Sequence, residues 1–294
     1  MSDITVNAAG ARPKKKSEFV RIMKELSRNK LAVIGVVLII LEALIAIFAP
    51  LIAPYDPLEM NLAETFMKPC AKHLFGTDDV GRDLLSRIIY GARYSLSTGV
   101  LAMIFGVVCG LLVGSIAGYA GGQVDNIIMR ILDVIQALPG MLLLIVLASM
   151  LGGGFLNTVI AMGVGAIAGN ARLIRAQIMK EKSAEYIEAC DSINCSKFRI
   201  VMKHLLPNTI SPIIVSASMS IGNYVVLGSS MSFIGLGVQP PTPEWGALLS
   251  DARSYIASYP HLVMFPGMAI AITVLAFNLL GDGLRDAMDP KLKH

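Results

Sequence analysis

Residues 172–204 read RLIRAQIMKEKSAEYIEACDSINCSKFRIVMKH, and this stretch decides how the rest of the chain divides. It carries seven Lys or Arg and four Asp or Glu, whereas residues 134–171 before it and 205–243 after it contain no charged residue. A charged island between two long uncharged runs is a solvated segment at the edge of something apolar. The bulk numbers say what that is. Apolar residues make up 54% of the 294 residues and charged residues 16%, with a mean hydropathy of +0.65, against about 25% charged in soluble domains. The chain reads as an integral membrane protein, all-α, with nearly every residue spent on spans and short loops and none left for an appended enzyme domain.

A spanning helix needs about 20 mostly apolar residues, so the uncharged runs can be cut by length and by Gly or Pro breaks. Six spans are predicted. The first covers residues 31–53; the second lies within 94–124 and ends near Gly121 and Gly122. The third and fourth share 134–171, split at Gly152, Gly153 and Gly154. The fifth runs from about Thr209 to Phe233 and the sixth from about His261 to Leu280. The corresponding divisions are a basic amphipathic segment at 1–30, a first span with an outer segment at 31–93, a five-span core at 94–284 containing a cytoplasmic loop at 172–207, and a tail at 285–294.

Basic residues favour the cytoplasmic side. With the amino end inside, the inner segments hold 19 Lys or Arg and the outer ones six: Lys68, Lys72, Arg82, Arg87, Arg93 and Arg253. Both termini and the island are therefore expected in the cytoplasm. Lys14, Lys15 and Lys16 precede an apolar run too long for a cleaved leader, so 31–53 reads as a retained span. The basic residues before it suit anionic lipid.

Several chemistries are excluded. Cys70, Cys109, Cys190 and Cys195 make no paired framework, and with His73, His204, His261 and His294 they make no metal-ligand spacing. No G-x-x-x-x-G-K-[ST] run is present, so ATP is not bound here by the phosphate-loop route. No catalytic residue, resident cofactor, metal or nucleic-acid contact is expected.

Within the spans, Gly106, Gly110, Gly114 and Gly118 recur every four residues on one helix face, and Ala161, Gly165 and Gly169 repeat the device. Small residues at this spacing let helices touch in lipid, either within the chain or between subunits. Glu42 stands at the middle of the first span, where an acid costs about 3 kcal/mol before compensation. It either contacts a polar path or faces another helix. Asp133, three residues after Arg130, is expected to pair with it. Asn157, Asn223, Ser229 and Asn278, with Gln136, Asn170 and Ser230, could line a path.

The island itself reads as two short helices. Ser183 is a candidate N-cap with Glu185 in the first turn, and Tyr186, Ile187, Cys190 and Ile193 recur at helical spacing. A second helix at about 197–205 carries Phe198, Ile200, Val201 and Leu205, with Pro207 closing it. Such an apolar stripe either packs under its own bundle or enters a partner's groove.

The segment EYIEACDSIN at 185–194, running on to Leu206 and Pro207, resembles the E-A-A loop of ABC importer permeases: Glu188, Ala189, a third residue that is Cys190 here, three more, a turn residue that is Asn194 instead of Gly, and a terminal Leu-Pro. Asn is second to Gly at a left-handed C′ position. Further stretches narrow the resemblance. LFGTDDVGRD at 74–83 with Ser86, Arg87, Gly91 and Arg93, QPPTPEWG at 239–246, and LAFNLLGDGLRD at 275–286 with Asp289 and Pro290 look like the second, C-type permease subunit of dipeptide and oligopeptide importers. That is the binding-protein-dependent transport inner-membrane component family. The similarity runs from about residue 17 to 294.

The resemblance implies a type I ABC importer permease fold with a cytoplasmic coupling helix, in the bacterial inner membrane. It implies a homologous second permease subunit, two cytoplasmic ATPases that hold ATP and Mg, and an external peptide-binding protein. Glu185, Tyr186, Ile187, Glu188, Ala189, Cys190, Ile193, Asn194, Leu206 and Pro207 would form the ATPase-coupling element, with Tyr186, Ile187 and Ile193 as its apolar contacts. Asp78, Arg82, Asp83, Pro241, Glu244 and Trp245, in outer segments 54–92 and 236–260, would receive the binding protein. Glutathione or a nickel chelate are alternative cargoes. A proton-coupled secondary transporter using Glu42 and Asp133 is the alternative of another class.

Overall fold

The computed structural model describes residues 18–288; Lys14, Lys15, Lys16, Asp289, Pro290, Lys291 and Lys293 lie outside them. Helix α1 (Glu18–Arg28) is amphipathic. Its Leu26 is buried against Gly283, and Arg21, Lys24 and Arg28 point outward. Asn29 then caps α2 (Lys30–Ile47), its Oδ1 accepting from the Leu31 and Ala32 amides at 3.1 and 3.3 Å, as a short polar side chain does for orphan first-turn donors. A break at Phe48 leads into the short α3 (Ala49–Ile52), with Pro50 where its missing N–H does no harm.

Helix α4 (Leu84–Ala120) is 37 residues long, about 55 Å at 1.5 Å per residue, well beyond a hydrocarbon core of about 30 Å. It starts ahead of the expected Tyr94 because Asp83 caps it and Arg87, in its first turn, is paired with Asp78. Gly121, at φ 65°, turns the chain into α5 (Gly122–Gln136). Helix α6 (Gly140–Leu151) follows after a bend of 87°.

The third expected span is thus a broken pair. Pro139 cannot donate to a continuing helix and disfavours helical backbone at Leu138, a break the hydropathy pattern hides. Among the described residues, five helices are long and apolar enough to cross a membrane, or six with the bent pair counted as one.

Helix α7 (Phe155–Lys182) does not stop at residue 171: it runs through the first third of the charged island. Helix α8 (Glu185–Ser192) is a separate short segment. Then α9 (Lys197–Arg199) passes through a wide π-helical turn at Ile200–Leu205 into α10 (Leu206–Phe233). Pro207 therefore closes nothing. The wide turn, in which the Leu206 amide reaches back to the Val201 carbonyl, lets the helix run on across it. Helix α11 (Trp245–Ala252) lies between the last two spans, and α12 (His261–Met288) continues past Leu280.

Helices α4 and α7 pack along their lengths, flanked by α10, with α12 against α10 and α2. The glycine ridge settles where that seam runs. A Cβ on Gly106 would meet the Ala166 Cβ at 2.2 Å, on Gly110 the Asn170 Cβ at 2.6 Å, and on Gly114 the Ala171 carbonyl at 2.5 Å. The ridge is spent inside the chain, on α7. Along α7 itself, Ala161 is buried and Gly165 faces Leu144, while Gly169 faces open space.

Candidate functional site

Helix α8 sits at the end of the bundle where α4 stops and α10 begins. Its inner anchor is Ile187, 2% exposed and clustered with Ile174 and Ile178 of α7, Ile200 and Leu205 of the wide turn, and Ile213 of α10. Burying such a side chain contributes about 2 kcal/mol. Ile187 is therefore an internal contact, not one offered to a partner, and Cys190 packs partly against the same cluster.

Tyr186 is a strut. Its hydroxyl donates to Glu181 Oε1 at 2.6 Å and accepts from Asn208 Nδ2 at 3.1 Å, tying α7, α8 and α10 together. Partial burial and the bond to Glu181 push its phenol above the usual value. Lys182 Nζ donates to the Tyr119 carbonyl at 2.7 Å and lies over that ring, fixing the end of α7 to α4. Ser183 does not cap α8. It terminates α7, and its hydroxyl donates to the Lys180 carbonyl.

The far end of α8 closes as its sequence requires. Asn194 takes φ 55°, and the Cys195 amide donates to the Cys190 carbonyl at 3.0 Å, the long bond of a Schellman turn. Replacing Asn194 by Val should destabilise this turn by about 1–2 kcal/mol, while Gly should be neutral; proteolytic nicking at 192–196 measured for both variants checks it, and equal resistance of wild type and Val would refute it. With Ile187 turned to the bundle, the surface left outside is Glu185, Tyr186, Glu188, Ala189, Asn194 and Ile193, the last 75% exposed; the Tyr186 ring stays open although its hydroxyl is bonded to α7 and α10. Leu206 is half-buried and Pro207 exposed.

The opposite end holds the second group of expected residues, and most are buried. Asp78 accepts from Arg82 Nε at 2.7 Å and from Arg87 Nη1 at 2.5 Å. Both arginines also face Asp251 at 3.9 and 3.5 Å, whose carboxyl burial pushes up against their pull. Asp83 accepts from the Ser86 amide and hydroxyl at 2.8 and 2.7 Å, with His73 Nδ1 at 2.9 Å.

Glu244 caps α11 through the Ala247 amide at 3.0 Å and accepts from Ser95 and Ser229 hydroxyls at 2.7 and 3.1 Å. Trp245 is 2% exposed and donates to the Ile88 carbonyl at 3.0 Å. These side chains build the cap at this end of the bundle. They are not free to meet a partner directly; of the six, only Pro241 is exposed.

The four path candidates are not brought together. Asn157 caps the end of α6 through the Leu151 and Gly152 carbonyls at 2.8 and 3.1 Å, and Ser229 belongs to the Glu244 cluster. Asn223 is exposed on α10, and Asn278 is half-buried on α12. Glu42 faces α12, its Oε1 accepting from the Thr273 hydroxyl at 3.0 Å.

Asp133 is paired across helices with Arg172 at 2.5 Å instead of with Arg130. That pair, and the Asp125–Arg175 pair beside it, were hidden because their partners lie 39 and 50 residues away. Asn208 was missed as well. Its only signal was its place directly after the Leu-Pro pair.

Two family models match the sequence. One, for the binding-protein-dependent transport system inner membrane component, covers residues 110–294, and the other, for the N-terminal TM domain of oligopeptide transport permease C, covers 17–69. The dipeptide transport system permease protein DppC of Alkalihalophilus pseudofirmus is 43% identical over 270 residues, 92% of this chain and 89% of that protein. The glutathione transport system permease protein GsiD of Escherichia coli is 44% identical over 277 residues, with the same shares.

Among solved structures, a chain of the MetNI methionine ABC transporter in an inward-facing conformation superposes with a TM-score of 0.58. It is 19% identical and covers 70% of this chain and 98% of that one. A chain from an amino acid ABC transporter with histidines gives 0.53 at 17% identity, covering 67% and 92%. These two likenesses are of fold.

Proposed function

The chain belongs to the family of binding-protein-dependent transport system inner membrane components, and on that premise we propose that it is a permease subunit of an ATP-driven importer of di- or oligopeptides. The two relatives named for their cargo carry a dipeptide and glutathione, itself a short peptide, so a peptide backbone is the shared chemistry. ATP and Mg belong to two partner ATPases, and the cargo is delivered by an external binding protein. A homologous permease completes the path. Both termini and α8 face the cytoplasm, in keeping with the basic-residue asymmetry. Residues 94–284 act as the translocating core, while 31–93 and 236–260 support the outer face.

The observation that carries this reading is the mounting of α8. A short helix held by a buried Ile187 and by the Tyr186 strut exposes an acidic and apolar face, Glu185, Glu188, Ala189 and Ile193, on a rigid base. A partner that moves α8 moves α7 and α10 with it. Glu188 meets a basic or hydrogen-bonding group at the rim of an ATPase groove, and Ile193 enters it. The Glu42–Thr273 bond speaks for a structural carboxyl between α2 and α12, which weakens the proton-coupled alternative.

The test is uptake into proteoliposomes holding the full importer. Peptide uptake should require ATP and the binding protein, and uptake driven by a proton gradient without the ATPases would refute the proposal. Within it, Glu188→Lys should leave the complex assembled and lower substrate-stimulated ATPase activity about tenfold, the scale of one lost charge-assisted contact. Undiminished stimulation would remove Glu188 from the interface.

A further inference from the structure

Helix α5 is held to α7 by one apolar cluster and by polar pairs. Its buried residues are Asp125 and Leu132; Leu132 clusters with Ala168 and Ala171 of α7, and the half-buried Ile128, Met129 and Ile135 pack against them. The polar attachments flank this contact. Asp125 receives both Nε and Nη2 of Arg175 at 2.5 Å, a two-pronged pair. Asp133 receives Nη2 of Arg172 at 2.5 Å, and Nη1 of the same guanidinium donates to Gln136.

Arg172 and Arg175 stand three apart on one face of α7; Asp125, Leu132 and Gln136 fall at spacings of seven and four on one face of α5. The planar guanidinium suits this work, since it fixes direction as well as distance.

The ladder joins two parts with different jobs. Helix α7 leads after two residues into α8, and α5 ends at the 137–139 break and its bend of 87°. Beside that elbow lies a cavity of about 440 Å³, lined among others by Gln136, Leu138 and Met141, by Met162 of α7 and by Tyr224 of α10. The last rung, Arg172 to Gln136, therefore ends on the cavity wall.

We propose that Arg172 and Arg175 are positioning residues for transport: they lock α5 to α7, so that displacement of α8 is delivered to the elbow and reshapes the cavity beside it. This rests on the reading of α8 as the coupling segment.

The experiment compares Asp125→Arg, Arg175→Asp and the double swap in the full importer in proteoliposomes, reading peptide transported per ATP hydrolysed. A variant that only folds poorly loses uptake and hydrolysis together and keeps the ratio. Each single reversal should lower the ratio about tenfold, and the swap should restore it to within about twofold. Asp125→Asn, which removes the charge and keeps one acceptor, supplies the measurement if the reversals do not assemble, and should lower the ratio about threefold.

An unchanged ratio in the single variants, or in Asp125→Asn, overturns the proposal, as does a swap no better than either single. Glu188→Lys run in parallel separates the two readings. If it lowers ATPase stimulation while the ladder variants keep their ratio, the ladder alone is wrong; if it changes nothing, the coupling role of α8 fails first.

Discussion

Gly106→Leu is expected to abolish the assembled permease. An ideal Cβ at Gly106 would lie 2.2 Å from the Ala166 Cβ and 3.3 Å from the Gly163 carbonyl, so even alanine has no room, and the obstacle is a Cβ fixed to the α7 backbone that cannot swing away. The neighbouring turns repeat the constraint. A Cβ on Gly163 would lie only 2.4 Å from the Phe105 ring, and Gly110 and Gly114 abut Asn170 and Ala171.

A leucine must therefore push α4 and α7 apart along the seam that carries the core. In lipid there is no hydrophobic drive to pull them back, and overpacking of this kind costs about 3 kcal/mol or more. Monodisperse protein recovered from membranes should fall by more than tenfold, with uptake falling in step. Gly169→Ala, which faces open space within 4 Å, is the matched control and should fold as well as wild type. A Gly106→Leu protein recovered at wild-type yield would mean that the seam is not where stability resides.

Glu244→Ala should be the most damaging change at the end of the bundle opposite α8. Glu244 is 2% exposed, and its carboxylate accepts from the Ser95 and Ser229 hydroxyls and the Ala247 amide. It thereby joins α4, α10 and α11 at one point. Removing it leaves a cavity, uncaps α11 and strands the Ala247 amide and two hydroxyls.

At about 1–3 kcal/mol for each buried polar group left unpaired and about 1 kcal/mol for the cap, the loss is roughly 3–5 kcal/mol. The two hydroxyls can turn to new acceptors, which keeps it below the sum. Glu244→Gln keeps an acceptor for Ser95 and should cost about half as much. Thermal unfolding in detergent should rank wild type, Gln and Ala in that order. Equal midpoints for wild type and Ala would show that the cluster is not holding α11 in place.

How much of this was legible in the sequence depended on the range of the interaction. The turn at Asn194 was readable from two or three residues, because a left-handed position selects residue type locally. The apolar stripe of α8 was readable as a stripe, but its division was not. Ile187 points inward and Ile193 outward because the bases of α7 and α10 lie on one side only, and local spacing does not contain that fact. Charge misled in both directions. Arg172 and Arg175 suggested that the span had ended, yet α7 carries them onward because Asp133 and Asp125 supply partners from α5. Asp78, Arg82 and Glu244 suggested an exposed contact surface, yet Asp78 and Arg82 pair with each other and Glu244 is held by two serine hydroxyls and a backbone amide, all of them buried.

The sequence by itself determined that the chain is a helical membrane protein, roughly where its spans lie, and that one charged island interrupts them. Those follow from composition and from periodicities a few residues long, which sense only whether a segment meets water or lipid. Only the tertiary structure decided which face of each element is used. It put the glycine ridge on α7, broke the third span at Pro139, and turned half of α8 inward. It also paired Arg172 and Arg175 with acids dozens of residues away. Those outcomes rest on helix-to-helix contact and on the need of every buried charge for a counter-charge, and such partners are chosen in space, not along the chain.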